Sequence, residues 1–363
     1  MSKGLMRLPA GLLALFLAGC AGSGETVPRV GPPMVERGFA LDTEAMVDAA
    51  PLPAATATEF GPAPHQVVMP DGTPLPLRRW GPAPEAGESP EAVILGLHGF
   101  NDHAGAFAAT ATALAPDDIA VYAWDQRGFG ASRQRGHWVG TDRLVADALW
   151  IADELRQRYP ETPIYMMGLS MGGAVTALAV ERDPDLPVDG ALLVGPAFWG
   201  RATMPWYQRV ALWVGERVAP WMSFTGDGLG IEPTDDPAVA RQLARDPLWI
   251  RDTRVDAIAG ISDLMDRGLL ALPKLRGPPT LIQYGGADEI IPADAACAMF
   301  RRLPVDGNWR AAYYPEGYHM LTRYTGAPAV LNDIRAFITD TGGKLPSGRA
   351  IDRAAAIAEL CDE

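Results

Sequence analysis

Five continuous apolar runs, separated by segments of helical character, constrain this chain more than any other feature. They are Ala92 to Leu97, Ala120 to Trp124, Ile164 to Gly168, Ala191 to Val194 and Thr280 to Tyr284. A run without polar alternation is what a strand buried on both faces requires. Between the runs lie patterns of period 3.6, clearest where Leu144, Ala148, Ile151, Ala152 and Leu155 share one face. Strands alternating with amphipathic helices predict an α/β domain whose mostly parallel central sheet is flanked by helices. Ahead of them, His65 to Met69 and Leu75 to Trp80 flank Asp71-Gly72, a hairpin signal. Pro74 and Pro76 place the second of these strands at a sheet edge.

The alternation breaks after Ala197 and resumes at Thr280. This divides the folded part into an α/β core at 61–196 and 274–341, a helical cap at 197–273 and a C-terminal extension at 342–363. The cap holds five of the chain's ten tryptophans. Pro205 and Pro220 bound a helix that aligns Trp206, Val210, Trp213 and Val214 on one apolar face. Such a stripe can pack down onto the domain or face outward, and periodicity alone does not choose.

The N-terminus has a different character. Lys3 and Arg7 precede a short apolar stretch, then Leu17-Ala18-Gly19-Cys20. This resembles a bacterial lipobox, which implies a lipoprotein signal peptide at 1–19 and lipidation of Cys20. Residues 20–60, rich in Pro, Ala, Gly and Thr, then read as a flexible tether. The resemblance places the protein in a bacterial cell envelope, lipid-anchored to a membrane. Ala21 favours the periplasmic side of an outer membrane. Two thiols remain, Cys297 and Cys361, and an oxidising compartment would allow them to pair. A formal net charge of -13 argues against a nucleic-acid partner. With five scattered histidines and no C-x-x-C or H-E-x-x-H pattern, no metal site is expected.

One short stretch carries chemistry. Gly168-Leu169-Ser170-Met171-Gly172-Gly173 joins a buried strand to a helix. In a chain with 39 glycines the pattern alone is weak, but its position at a strand-to-helix turn is specific. Ser170 would stand above the sheet at a helix N-terminus, where partial positive charge favours a developing anion. A serine needs a base, and His319 follows the last strand-like run. The base needs an orienting carboxylate. Asp288 follows directly on the strand ending at Tyr284, with Glu289 and Asp294 as competitors. His98-Gly99-Phe100 follows the strand ending at Leu97, where the N–H of Phe100 could join that of Met171 in an oxyanion hole.

These segments, with Leu97 to His103 and Trp124-Asp125-Gln126-Arg127-Gly128-Phe129-Gly130, resemble the monoacylglycerol lipase and lysophospholipase family. That family also includes serine aminopeptidase-like members. The resemblance runs from about His65 to Asp340 and extends to the order serine, acid, histidine. It implies an α/β-hydrolase fold, a triad of Ser170, Asp288 and His319, an oxyanion hole of Phe100 and Met171, and no cofactor. The implied partner is a small lipid or ester substrate. A general carboxylesterase, a serine peptidase, or a non-catalytic envelope lipoprotein using its cleft for binding are the other readings.

Overall fold

The computed structural model describes residues 65–82, 87–201, 204–226 and 230–361. The signal peptide, Cys20 and the tether expected from the sequence lie outside them. The five apolar runs form β3 (Ala92–Leu97), β4 (Ile119–Trp124), β5 (Ile164–Leu169), β6 (Gly190–Val194) and β9 (Thr280–Gly285), each buried along its whole length. With β10 (Trp309–Tyr314) they make a parallel sheet in the order β4-β3-β5-β6-β9-β10.

Antiparallel strands extend it at both sides. β1 (His65–Val68) and β2 (Pro74–Trp80) form the expected hairpin, yet β2 is not the edge. It lies between β1 and β4, and β1 is outermost. The prolines are tolerated because β4 pairs only with Leu77 to Trp80, so Pro74 and Pro76 lie in the stretch that β1 alone flanks in register. At the far side the short β11 (Ala350–Ile351) pairs with β10 and completes nine strands.

Helices cover both faces. α1 (Ala108–Leu114) and α8 (Ala327–Thr339) bury side chains against one face. α2 (Thr141–Arg158), α3 (Met171–Arg182), α6 (Val255–Ala271) and α7 (Ala293–Arg302) cover the other. α9 (Arg353–Leu360) joins that layer through buried Ala356 and Leu360. A disulfide between Cys297 and Cys361 fastens the chain just beyond α9 to α7.

The segment between β6 and β9 is not helical throughout. It comprises α4 (Trp206–Val218), β7 (Ser223–Thr225), α5 (Pro237–Arg245), β8 (Asp252–Arg254) and α6, with β7 and β8 paired as a small second sheet. α6 belongs energetically to the core, since Ile261, Leu264, Met265 and Leu269 join the buried cluster over the sheet. The roof over the sheet is therefore formed by what precedes α6.

From β3 the chain moves to β4 on one side, then crosses back to β5 on the other. The carboxyl ends of β3 and β5 thus meet at the point where strand order reverses, which is where an open α/β sheet offers a crevice.

Candidate active site

Ser170 occupies the turn between β5 and α3 with φ 52° and ψ -114°, a conformation costly for a residue with a side chain. The surrounding glycines serve close approach rather than positive φ. A Cβ on Gly172 would fall 2.0 Å from the carbonyl oxygen of Leu97, and one on Gly168 would fall 2.2 Å from that of Gly172. The continuation of β6 holds the turn, with the Ser170 N–H donating to Val194 (3.0 Å) and the Ala197 N–H donating to the Ser170 carbonyl (3.0 Å).

Two further loops at this sheet end reach the serine. His319, after β10, has its Nε2 2.9 Å from Ser170 Oγ, and its Nδ1 is 2.7 Å from Asp288 Oδ2. Asp288, after β9, uses Oδ1 to accept the N–H groups of Ile290 (2.9 Å) and Ile291 (2.8 Å). Its second oxygen is thereby aimed at the imidazole. With Nδ1–H donating to the carboxylate, Nε2 is left to accept the serine proton. Glu289, the rival acid, is exposed and accepts the Glu232 N–H instead. Close packing makes this alignment possible, for a Cβ on Gly285 would lie 2.2 Å from the Gly317 carbonyl oxygen.

Phe100 and Met171 also arrive at the serine. The loop after β3 passes so close that a Cβ on Gly99 would sit 3.3 Å from Ser170 Cβ. Fully buried His98 fixes this loop, its Nδ1–H donating to Gly99 O (2.8 Å) and its Nε2 accepting the Gln126 N–H (2.9 Å). Burial lowers its pKa below the ordinary imidazole value and keeps one donor and one acceptor on the ring. The Gly99 carbonyl also accepts the Asp102 N–H (3.2 Å). Because the peptide is trans, the Phe100 N–H points away from that held carbonyl. Among the described residues neither this N–H nor that of Met171, at the first turn of α3, has an acceptor. Two unsatisfied donors flanking a serine hydroxyl can hold an oxyanion.

The triad opens into a cleft of about 520 Å³. Leu169, Val194, Ile231, Leu243 and Ile250 make it apolar, while Asn101, Thr253 and Arg323 give it a polar side. Sequence reading missed the contacts that hold the roof and the loop beneath it: His103 with Asp246 and Asn101 with Thr253 across to the roof, and Asp102 with Arg323 within the core. They join residues 143, 152 and 221 positions apart, so no local pattern signals them. The stripe on α4 faces outward. Trp206 is 74% exposed and Trp213 57%, and no residue of that helix is buried.

Fold and site together define a monoacylglycerol lipase-like α/β-hydrolase, an enzyme. The chain belongs to the family described as Serine aminopeptidase, S33, which matches residues 88–324. It is 28% identical to the human protein named Monoglyceride lipase over 281 residues, which is 75% of this chain and 87% of that one. Monoacylglycerol lipase of Mycolicibacterium smegmatis is 26% identical over 261 residues, 69% of this chain and 88% of that protein. Among solved structures, a soluble variant of monoglyceride lipase from Saccharomyces cerevisiae superposes with a TM-score of 0.65 at 18% identity, covering 78% of this chain and 97% of that one. Monoacylglycerol lipase of Paleococcus ferrophilus gives 0.58 at 23%, covering 73% and 97%.

Proposed function

We propose that this chain hydrolyses carboxylic esters of the monoacylglycerol or lysophospholipid type through an acyl-enzyme on Ser170. The hydrogen-bonded series Asp288–His319–Ser170, opening into an apolar cleft, carries the reading. His319 takes the proton of Ser170 as Oγ attacks the ester carbonyl. The N–H groups of Phe100 and Met171 receive the oxyanion, and Asp288 stabilises the imidazolium. His319 then returns its proton to the leaving alcohol. Water, activated by the same imidazole, releases the fatty acid.

The cleft favours an ester with one long acyl chain over a peptide. An aminopeptidase has to neutralise a substrate ammonium, and Asp102 is the one acid among the described cleft residues. That carboxylate is already paired with Arg323.

The same reading assigns the enzyme to a membrane surface. Trp206, Tyr207, Val210, Trp213, Trp221 and Phe224 are exposed on one stretch of the roof. Aromatic and aliphatic side chains at that density suit the headgroup boundary of a bilayer. Cys20 would supply the covalent anchor in the bacterial envelope, with the outer membrane's periplasmic side as the destination. Two weak attachments, one lipid and one apolar face, together give stable association. Among the described residues no helix is long and apolar enough to cross a membrane.

The experiment is a substrate panel offered to the purified full chain: monoacylglycerols, lysophospholipids, short-chain esters and aminoacyl anilides. Turnover of long single-chain esters, at least tenfold above the anilides in kcat/KM, is expected. Preference for the anilides would overturn the substrate class.

A further inference from the structure

We propose that His103 and Asp246 form a positioning pair through which the roof holds the oxyanion loop in working geometry, an inference that rests on the hydrolase reading above. The loop from His98 to His103 carries Phe100, whose N–H must meet the oxyanion to within a few tenths of an ångström. Its core-side supports are His98, bound to Gln126, and Asp102, paired with Arg323 of the histidine loop. The Phe100 ring also packs against Phe129 and Trp138 of the core, and the further supports come from the roof.

His103 is 1% exposed and Asp246 2%, so the pair is sealed from water. His103 Nδ1 accepts the Gly105 N–H (3.1 Å), which places the ring proton on Nε2 and directs it to Asp246 Oδ2 (2.7 Å). Asp246 Oδ1 in turn accepts the Leu248 N–H (2.8 Å). Asp246 lies between α5 and β8, so this bond crosses from core to roof. Beside it the roof grips Asn101, the residue immediately after Phe100. The Ile250 N–H donates to Asn101 O (2.9 Å), and Asn101 Nδ2 donates to Thr253 Oγ1 (2.7 Å). Asn101 has φ 63°, a left-handed conformation that surrounding structure must maintain. A buried polar pair adds little net stability compared with a packed apolar pair. What it adds is register, because its geometry is met in one placement of roof on loop. The roof is therefore part of the oxyanion hole's support as well as a wall of the acyl cleft.

The test compares full-chain His103→Ala, Asp246→Ala, the double variant and Asp246→Asn, with rates expressed per active site titrated by a fluorophosphonate. On a soluble short-chain ester, each alanine variant is expected to lose about 10- to 100-fold in kcat with KM within about threefold, because the donor is misplaced rather than deleted. Affinity for a trifluoromethyl ketone, whose adduct mimics the oxyanion, should fall by the same factor as kcat/KM. The double variant should be no worse than either single one. Asp246→Asn keeps one oxygen for Nε2–H but turns its Nδ2 toward the Leu248 N–H, so it should recover part of the rate lost in Asp246→Ala. Should the alanine variants not fold, Thr253→Val removes the Asn101 side-chain bond alone, with a few-fold loss in kcat at unchanged KM expected. Rates per titrated site within twofold of wild type, inhibitor affinity that does not move, or multiplying losses would overturn the pair. A wild-type chain that hydrolyses no ester would fail the hydrolase reading itself, a distinct outcome.

Discussion

The two halves of the roof, read side by side, are built on opposite plans. From Pro233 to Arg254 the chain is laced to the catalytic loops. Pro233 O accepts the Met320 N–H, Thr234 donates to Arg323 O, Asp246 meets His103, and Thr253 meets Asn101. From Trp206 to Thr225 there is scarcely any lacing. Both α4 and β7 expose nearly every side chain, tryptophans included. Trp206 and Trp213 meet only neighbours on their own helix, Tyr207 and Arg217, among the ring contacts of the described residues, and exposed aromatic surface at this density suits the membrane reading proposed above. The laced half is machinery that shapes the site. On the proposed membrane reading, the bare half is the surface that brings the site to its substrate.

The largest effect tests whether the laced half roofs a working triad at all. Asp288→Asn should lower kcat by about 10⁴-fold, since the imidazole loses its orienting carboxylate. Glu289→Gln should leave kcat within about twofold, because that side chain is exposed and does not touch His319. Steady-state kinetics on a soluble ester check both. A reversal would move the acid to Glu289.

Next in size is the bare half. Trp206→Glu with Trp213→Glu should reduce hydrolysis of monoacylglycerol in anionic vesicles by roughly tenfold or more, through lost membrane partitioning. Melting temperature and turnover of a soluble short-chain ester should stay unchanged. Equal losses on both substrates with a lower melting temperature would return these tryptophans to the core and erase the contrast.

The smallest effect comes from Trp249, which sits in the laced half, partly buried, and lines the cleft. Trp249→Ala should raise KM for long-chain esters several-fold and lower melting temperature by a few degrees, by loss of apolar contact. Vesicle binding should be unaffected. Loss of vesicle binding instead would place Trp249 with the bare half.

How much of this was legible in the sequence follows from how local each signal is. The five buried strands were readable because burial on both faces leaves an uninterrupted apolar run. Ser170 was readable because its turn demands small neighbours on both sides, and the order of Asp288 and His319 then followed the resemblance. β11 was missed, since two residues carry no pattern, and so were β7 and β8, three residues each without alternation. The edge assignment of β2 failed because its prolines lie beyond the stretch paired with β4, while the strand itself lies inside the sheet. The α4 stripe was seen, but an apolar face turned to the core and one turned outward have the same period. Trp199 illustrates the limit: it lies seven residues before Trp206, yet packs against the core ahead of the helix. The lacing was invisible because it pairs residues more than eighty positions apart.

The central claim is that Ser170 is the nucleophile, and covalent labelling tests it most directly. The full-chain protein, treated with a long-chain alkyl fluorophosphonate and digested, should carry one adduct, on the peptide containing Ser170, with loss of ester hydrolysis in proportion to labelling. Ser170→Ala should neither label nor hydrolyse, and it should melt as wild type does. An adduct on another residue, or ester turnover persisting in Ser170→Ala, would contradict the account.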